Sequence, residues 1–208
     1  MPYGKRDILA IRRAACKDDY WFFDEEFFES ESITPGFHRE VVAIFDNSIR
    51  YAVIAAPRGH AKTTVCSIRH NLWNLLYAKE PYILQISDTY SQATQIIAAI
   101  RFRLETDRKL QETFEPKVHR DRDDDLIIET KYGRSRIAAR GSGQSLRGLI
   151  GEDEKRPTLI VCDDLDQDAR VSNDQLRGED WSWFWKVLMP MLDQNGRVRV
   201  IGTILHKD

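Results

Sequence analysis

Residues Ala55-Ala56-Pro57-Arg58-Gly59-His60-Ala61-Lys62-Thr63-Thr64 set a lysine and two hydroxyls directly behind a short loop. An apolar run, Tyr51-Ala52-Val53-Ile54, precedes the loop, and a helix-like segment, Val65 to Leu76, follows it. Strand, tight loop, Lys-Thr and helix is the layout that cradles a polyphosphate, because backbone N–H groups and a helix N-terminus then face the anion. In that chemistry Lys62 reaches the β- and γ-phosphates and the Thr63 hydroxyl ligates Mg²⁺. Pro57, Arg58, Gly59, His60, Ala61 and Thr64 complete the phosphate-binding set. The usual pattern, G-x-x-x-x-G-K-[ST], has glycines where this chain has Ala56 and Ala61. An alanine in the left-handed conformation costs about 1–2 kcal/mol, so Ala61 is free of cost only where the loop backbone avoids that region.

A second chemical feature is Leu159-Ile160-Val161-Cys162-Asp163-Asp164, an apolar strand ending in two carboxylates. Such a pair standing alone reads as an exposed acidic turn. Paired with a phosphate-binding loop it completes a hydrolytic site: Asp163 holds Mg²⁺ through its water shell, and Asp164 orients or deprotonates the attacking water. A third strand, Val198 to Ile201, runs into Gly202-Thr203 and can bring the Thr203 hydroxyl near the γ-phosphate, since ligands bind at strand C-termini in open α/β sheets.

These groups need a frame. From Ile49 onward strands alternate with helices: Tyr51–Ala55, Tyr82–Ser87, Thr158–Cys162 and Val198–Gly202 as strands, 62–77, 89–106 and 174–192 as helices. That alternation predicts a mainly parallel sheet covered on both faces. Leu126–Glu129 and Ser135–Ala139 read as a hairpin around Tyr132-Gly133, and Asp121–Asp125 as a solvated acidic loop. Upstream, 8–18, 20–28 and 37–45 read as amphipathic or aromatic helices, with a break at Pro35-Gly36. The expected organisation is a helical extension over 1–34 and an α/β domain over 35–208.

Composition sets limits. The chain has 208 residues and a net charge of −2, which excludes a uniformly basic nucleic-acid binder and leaves room for a local basic patch. Three widely separated cysteines, Cys16, Cys66 and Cys162, lack metal spacing and read as reduced thiols of a cytoplasmic protein. No apolar run has the length of a membrane span and Met1 to Asp7 is not a signal peptide.

In order, Pro57 to Thr64, Arg156 to Asp164 and Gly202-Thr203-Ile204-Leu205-His206 resemble the Walker A, Walker B and coupling motifs of the ATPase domain of the large terminase subunit of tailed bacteriophages. Phe37-His38-Arg39-Glu40 looks like that family's adenine-covering segment, with His38 as the candidate base contact. Gly141-Ser142-Gly143-Gln144-Ser145-Leu146-Arg147-Gly148 looks like its loop before the second acidic motif. The resemblance spans residues 35 to 208. It implies a three-layer P-loop NTPase of the RecA-like, additional-strand (ASCE) class. It also implies ATP and Mg²⁺ as ligands and ATP hydrolysis that drives double-stranded DNA into a procapsid. Implied partners are the DNA, the portal protein, the small terminase subunit and copies of the chain in a ring, with a monomer alone in solution. The implied location is the cytoplasm of an infected bacterium. The family's nuclease domain is expected to be absent, leaving an isolated ATPase domain, as a fragment or a truncated gene product.

Charge developing on the γ-phosphate calls for an arginine. The resemblance assigns Arg58 to that task, with Arg147 or a neighbouring subunit as the other source. Lys131, Arg134, Arg136, Arg140 and Arg147 form a basic run suited to DNA phosphates, or to an ordinary charged hairpin or a subunit interface. Trp181 and Trp185, four apart on a predicted helix, read as core or interface packing. His60, His70 and His119 read as structural, and Asp166 and Asp168 as outlying acids. Two rival functions remain: a helicase-like motor, which needs a second domain, and a degenerate nucleotide-binding assembly module without turnover.

Overall fold

A computed structural model describes residues 4–28, 35–57, 59–146, 149, 155–165 and 173–203. Its strands are β1 Tyr51–Ala55, β2 Tyr82–Ser87, β3 Lys117–Arg122, β4 Asp125–Thr130, β5 Gly133–Gly141, β6 Leu159–Asp163 and β7 Arg197–Gly202. They form one seven-stranded sheet in the order β1-β7-β6-β2-β5-β4-β3. Pairing is parallel from β1 through β5 and antiparallel across β5, β4 and β3. Strand β7, last in sequence among them, lies between β1 and β6. This inserted strand carries the α/β, additional-strand class expected from the motif order.

Helices α1 Lys5–Ala15, α2 Tyr20–Phe27 and α3 Pro35–Asp46 precede the sheet. Helix α4 starts as a π-wound stretch, Thr63–His70, and continues as a regular α-helix, Asn71–Leu76; α5 is Tyr90–Thr106 and α6 Arg108–Phe114. Helix α7 is Asp174–Trp183, extended by a π-wound turn, Phe184–Leu188, and a 3-10 turn, Met189–Met191.

Alternation along the strands separates two cores, as the two-residue period of a strand requires. Ile83, Ile137, Val161 and Ile201 face Phe23, Val65, Leu72, Ile97 and Phe114. Leu84, Ala138, Ile160 and Val198 face Leu146, Leu149 and Leu188. The result is three layers, with β2 buried along its whole length. Helix α2 belongs to the first core through Tyr20, Phe23 and Phe27, and α3 through Val41, Val42 and Phe45, whereas α1 buries no residue.

Arg199 on β7 is fully buried and ties this edge together. It donates to the carbonyls of Phe45 at 3.1 Å, Asn47 at 2.6 Å and Ile49 at 2.9 Å. Burial pulls its guanidinium down to about 10, while the carbonyl fork fixes the connection that feeds β1.

Several expectations need correction. The solvated acidic loop Asp121–Asp125 shrinks to a turn at Asp123-Asp124: Asp121 and Arg122, though exposed, end β3, and Asp125 opens β4, buried between Arg120 and Arg136. Helix α6 was not anticipated. It is started by Asp107, whose side chain accepts from Leu110 N at 3.0 Å. Pro35 does not break the chain; it is the first residue of α3, where its missing N–H costs nothing. Of the core or interface reading of Trp181 and Trp185, the core half fails. They are 67% and 46% exposed and pack edge-on against one another at 5.6 Å.

Candidate active site

The parallel arrangement points the C-terminal ends of β1, β7 and β6 the same way, and the three predicted motifs converge there. Ala56 N donates to Gly202 O at 3.0 Å, and Asp164 N donates to Ile201 O at 2.8 Å. The phosphate-loop strand, the Gly-Thr strand and the acidic strand are therefore joined backbone to backbone just past their ends.

Three side chains meet across those junctions. Lys62 Nζ donates to Thr203 Oγ1 at 2.8 Å, and Thr203 Oγ1 donates to Asp164 Oδ1 at 3.2 Å. Lys62 also donates to Ala56 O at 2.7 Å and Pro57 O at 3.3 Å. The ammonium is thus buried with its charge spread over loop carbonyls and one hydroxyl.

The loop is built from positive-φ residues. Gly59 has φ 79° and Ala61 φ 50°, and Lys62 then enters the right-handed region with φ −51° and ψ −54°. Such alternation turns successive N–H groups into a concave anion cradle. Ala61 therefore adopts the left-handed conformation and carries its cost. Asp164 is also left-handed, with φ 45°.

Asp163 is 3% exposed and is gripped from α4. Ser67 Oγ donates to its Oδ2 at 2.7 Å, while Oδ1 is buried with no partner among the described residues. Burial pushes the Asp163 carboxyl up; the Ser67 and Thr63 hydroxyls hold it down and neighbouring Asp164 adds to the rise. A cleft of about 240 Å³ opens beside it, lined by Thr63, Ser87, Gln92, Gln95, Asp163 and Asp164 among others. The orphaned buried oxygen beside the Thr63 hydroxyl suits a hard divalent cation that takes its other ligands from water and phosphate. No cluster of three or more His, Cys, Asp or Glu side chains able to hold a metal occurs among the described residues.

His38 is 2% exposed, and its Nε2 lies 2.8 Å from His60 O. It sits beneath the loop, so its ring has no open face for a base; Phe37, next to it, meets the His60 ring at 5.8 Å. Thr64 is half-buried on α4. Arg58 and Arg147 lie outside the described residues, as do Asp166, Asp168, Ile204, Leu205 and His206.

The basic run is largely consumed by local acids. Arg136 donates to Asp125 at 2.8 and 3.0 Å and to Leu149 O at 3.0 Å. Arg140 pairs with Asp124 at 2.7 Å and Arg134 with Glu129 at 3.3 Å. These three arginines serve the hairpin, with Arg134 the most exposed of them.

Sequence reasoning missed Ser67. Its signal was present: Thr63, Ser67 and Asn71 form a polar stripe at four-residue spacing along one helix.

No family model matches the sequence, and no curated protein matches it. Solved structures do. The ATPase domain of the large terminase of Thermus phage P74-26 aligns with a TM-score of 0.55 at 17% identity, covering 77% of this chain and 62% of its own. The R139A mutant of that domain aligns with a TM-score of 0.59 at 15% identity, covering 89% of this chain and 70% of its own. The chain thus spans somewhat under two thirds of the first of these structures. Among the described residues no helix is long and apolar enough to cross a membrane. The likeness is one of fold: this chain shares an α/β fold with the ATPase domain of the Thermus phage P74-26 large terminase.

Proposed function

We propose that this chain is an Mg²⁺-dependent ATPase whose turnover drives double-stranded DNA into a viral procapsid. The observation that carries the reading is the string Lys62–Thr203–Asp164, which joins three motifs at one end of the sheet at 2.8 and 3.2 Å. Each member has a task suited to its place. Lys62 exchanges loop carbonyls for phosphate oxygens, and the N–H groups of 59–63 line the β-phosphate. Thr63 and Asp163 would hold Mg²⁺, which would supply neutralisation of phosphate charge. Asp164, exposed at the cleft, orients the attacking water. Thr203 links that carboxylate to Lys62, so a change at the γ-phosphate reaches β7. Arg58 and Arg147 stay assigned to transition-state charge by the sequence resemblance. The partners belonging to this function are the portal protein, the small terminase subunit and further copies of the chain, in the cytoplasm of an infected bacterium. No nuclease chemistry is assigned to these residues.

Steady-state ATP hydrolysis tests the reading, with DNA present and at high protein concentration so that neighbouring subunits can contribute. The wild type should turn over, and Lys62→Ala and Asp164→Ala should each lose at least about 100-fold, the scale of removing one preorganised charge-stabilising group. Nucleotide binding without turnover in the wild type would replace the enzyme with a non-catalytic assembly module.

A further inference from the structure

Beneath the cleft runs a line of buried polar side chains that phosphate binding does not require. Ser67 is fully buried and donates from Oγ to Asp163 Oδ2 at 2.7 Å. Its carbonyl accepts from Asn71 Nδ2 at 2.9 Å, and the same amide donates to Gln85 Oε1 on β2 at 3.1 Å. Asn71 and Gln85 are also fully buried. Val65, Cys66 and Leu72 on the same helix are apolar core residues, so this stripe replaces packing that an apolar side chain would supply at no desolvation cost.

We propose that Ser67 is a positioning residue for the metal: it occupies Asp163 Oδ2 and thereby presents Oδ1 to the cation. The inference rests on the nucleotide reading above. Three observations support it. Oδ1 is buried and lacks a partner among the described residues, so the carboxylate is satisfied on one side only. Ser67 stands one turn beyond Thr63, which lines the same cleft as Asp163, so one helix places both hydroxyl residues on the side of this carboxylate. The Asn71–Gln85 link ties that helix turn to β2, which pairs directly with β6 at Ser87 and Asp163. A carboxylate held at one oxygen has one orientation left, which is what outer-sphere partners of metal ligands provide.

The test is Mn²⁺ binding to the ADP-loaded protein, read by electron paramagnetic resonance, alongside metal-free ADP binding by calorimetry. Ser67→Ala should weaken Mn²⁺ binding about 10- to 100-fold and leave metal-free ADP binding within about threefold. Ser67→Thr, which keeps the hydroxyl, should stay near wild type. Ser67→Cys, of similar size with a weak donor, should follow the alanine variant and carries the comparison if Ser67→Ala does not fold. Equal Mn²⁺ affinity in wild type and folded Ser67→Ala or Ser67→Cys overturns the role of Ser67 alone. A wild type that binds neither ADP nor Mn²⁺ overturns the nucleotide reading and this inference with it.

Discussion

Lys62 and Thr203 are 141 positions apart in sequence, yet the ammonium donates to the hydroxyl at 2.8 Å. The contact exists because β7 is inserted between β1 and β6, with Ala55 opposite Gly202 in register. Thr203 is therefore the hinge between the lysine and Asp164. Thr203→Val keeps the shape and removes the hydroxyl. Losing a hydrogen bond to a charged group costs about 1.5–3 kcal/mol, so kcat should fall roughly 10- to 150-fold. KM should change by less than about threefold, since Lys62 retains its carbonyl and phosphate contacts. A fall in KM-limited binding with kcat intact would place Thr203 outside the chemistry.

Ala61 holds φ 50° in the loop. Its strain of about 1–2 kcal/mol is removed by Ala61→Gly, which in turn adds about 0.4–1 kcal/mol of unfolded-chain entropy. The two nearly cancel, so the glycine variant should melt at or slightly above the wild type. Ala61→Val puts a β-branched side chain at the same φ, where such residues are outliers. It should lose roughly 1–2 kcal/mol, or about 2–8 °C in Tm. Scanning calorimetry of the two variants decides: a clear drop for Ala61→Gly would mean the loop is not strained at this position.

The strands were legible where they are apolar on both faces. Tyr51–Ala55 and Tyr82–Ser87 read off the sequence with their observed bounds as short continuous apolar runs, although only β2 is buried throughout, while β1 at the sheet edge exposes Tyr51 and Val53. Strand β3 was not legible, since Lys117-Val118-His119-Arg120-Asp121-Arg122 contains one apolar residue and lies at the sheet edge. Asp163, Asp164 and Lys62 announce themselves by residue type. Their meeting point does not, because the insertion of β7 is a non-local pairing that no local pattern encodes. His38 shows the complementary limit: the side chain was singled out by its neighbours in sequence, and its burial under His60 depends on how α3 packs.

Arg136 illustrates how a charge run misleads. Its guanidinium is bidentate to Asp125, caps Leu149 O and stacks 4.4 Å from the Tyr82 ring centroid. Both partners of the pair are almost fully buried. Arg136→Ala leaves Asp125 with Arg120 alone, and breaking a buried pair costs about 3–5 kcal/mol. At about 2–4 °C per kcal/mol for a chain of this size, Tm should drop on the order of 10 °C. Arg134→Ala, on an exposed pair, should shift Tm by less than about 2 °C. Equal effects from the two variants in a thermal melt would contradict a structural role specific to Arg136.

Glu26 on α2 joins α1 and α6, with Arg12 Nε at 2.6 Å and Lys109 Nζ at 2.7 Å. Burial pushes its carboxyl up, but hydrogen bonds and charge from Lys109 and Arg12 outweigh that and hold it below its ordinary 4.5. A carboxylate with a depressed folded value contributes stability that is fully present above the unfolded value and is lost as pH falls through the folded one. The contribution is at most about 1 kcal/mol, because Lys109 is partly exposed and screened by solvent. Glu26→Gln should therefore melt about 2–4 °C below the wild type at pH 7. The gap should narrow below pH 4.5 and vanish once the wild-type carboxyl is protonated, while added salt at pH 7 should narrow it too. Melting curves of both proteins across this range check the sign: a gap that widens in acid would mean that Glu26 is not held as the paired carboxylate.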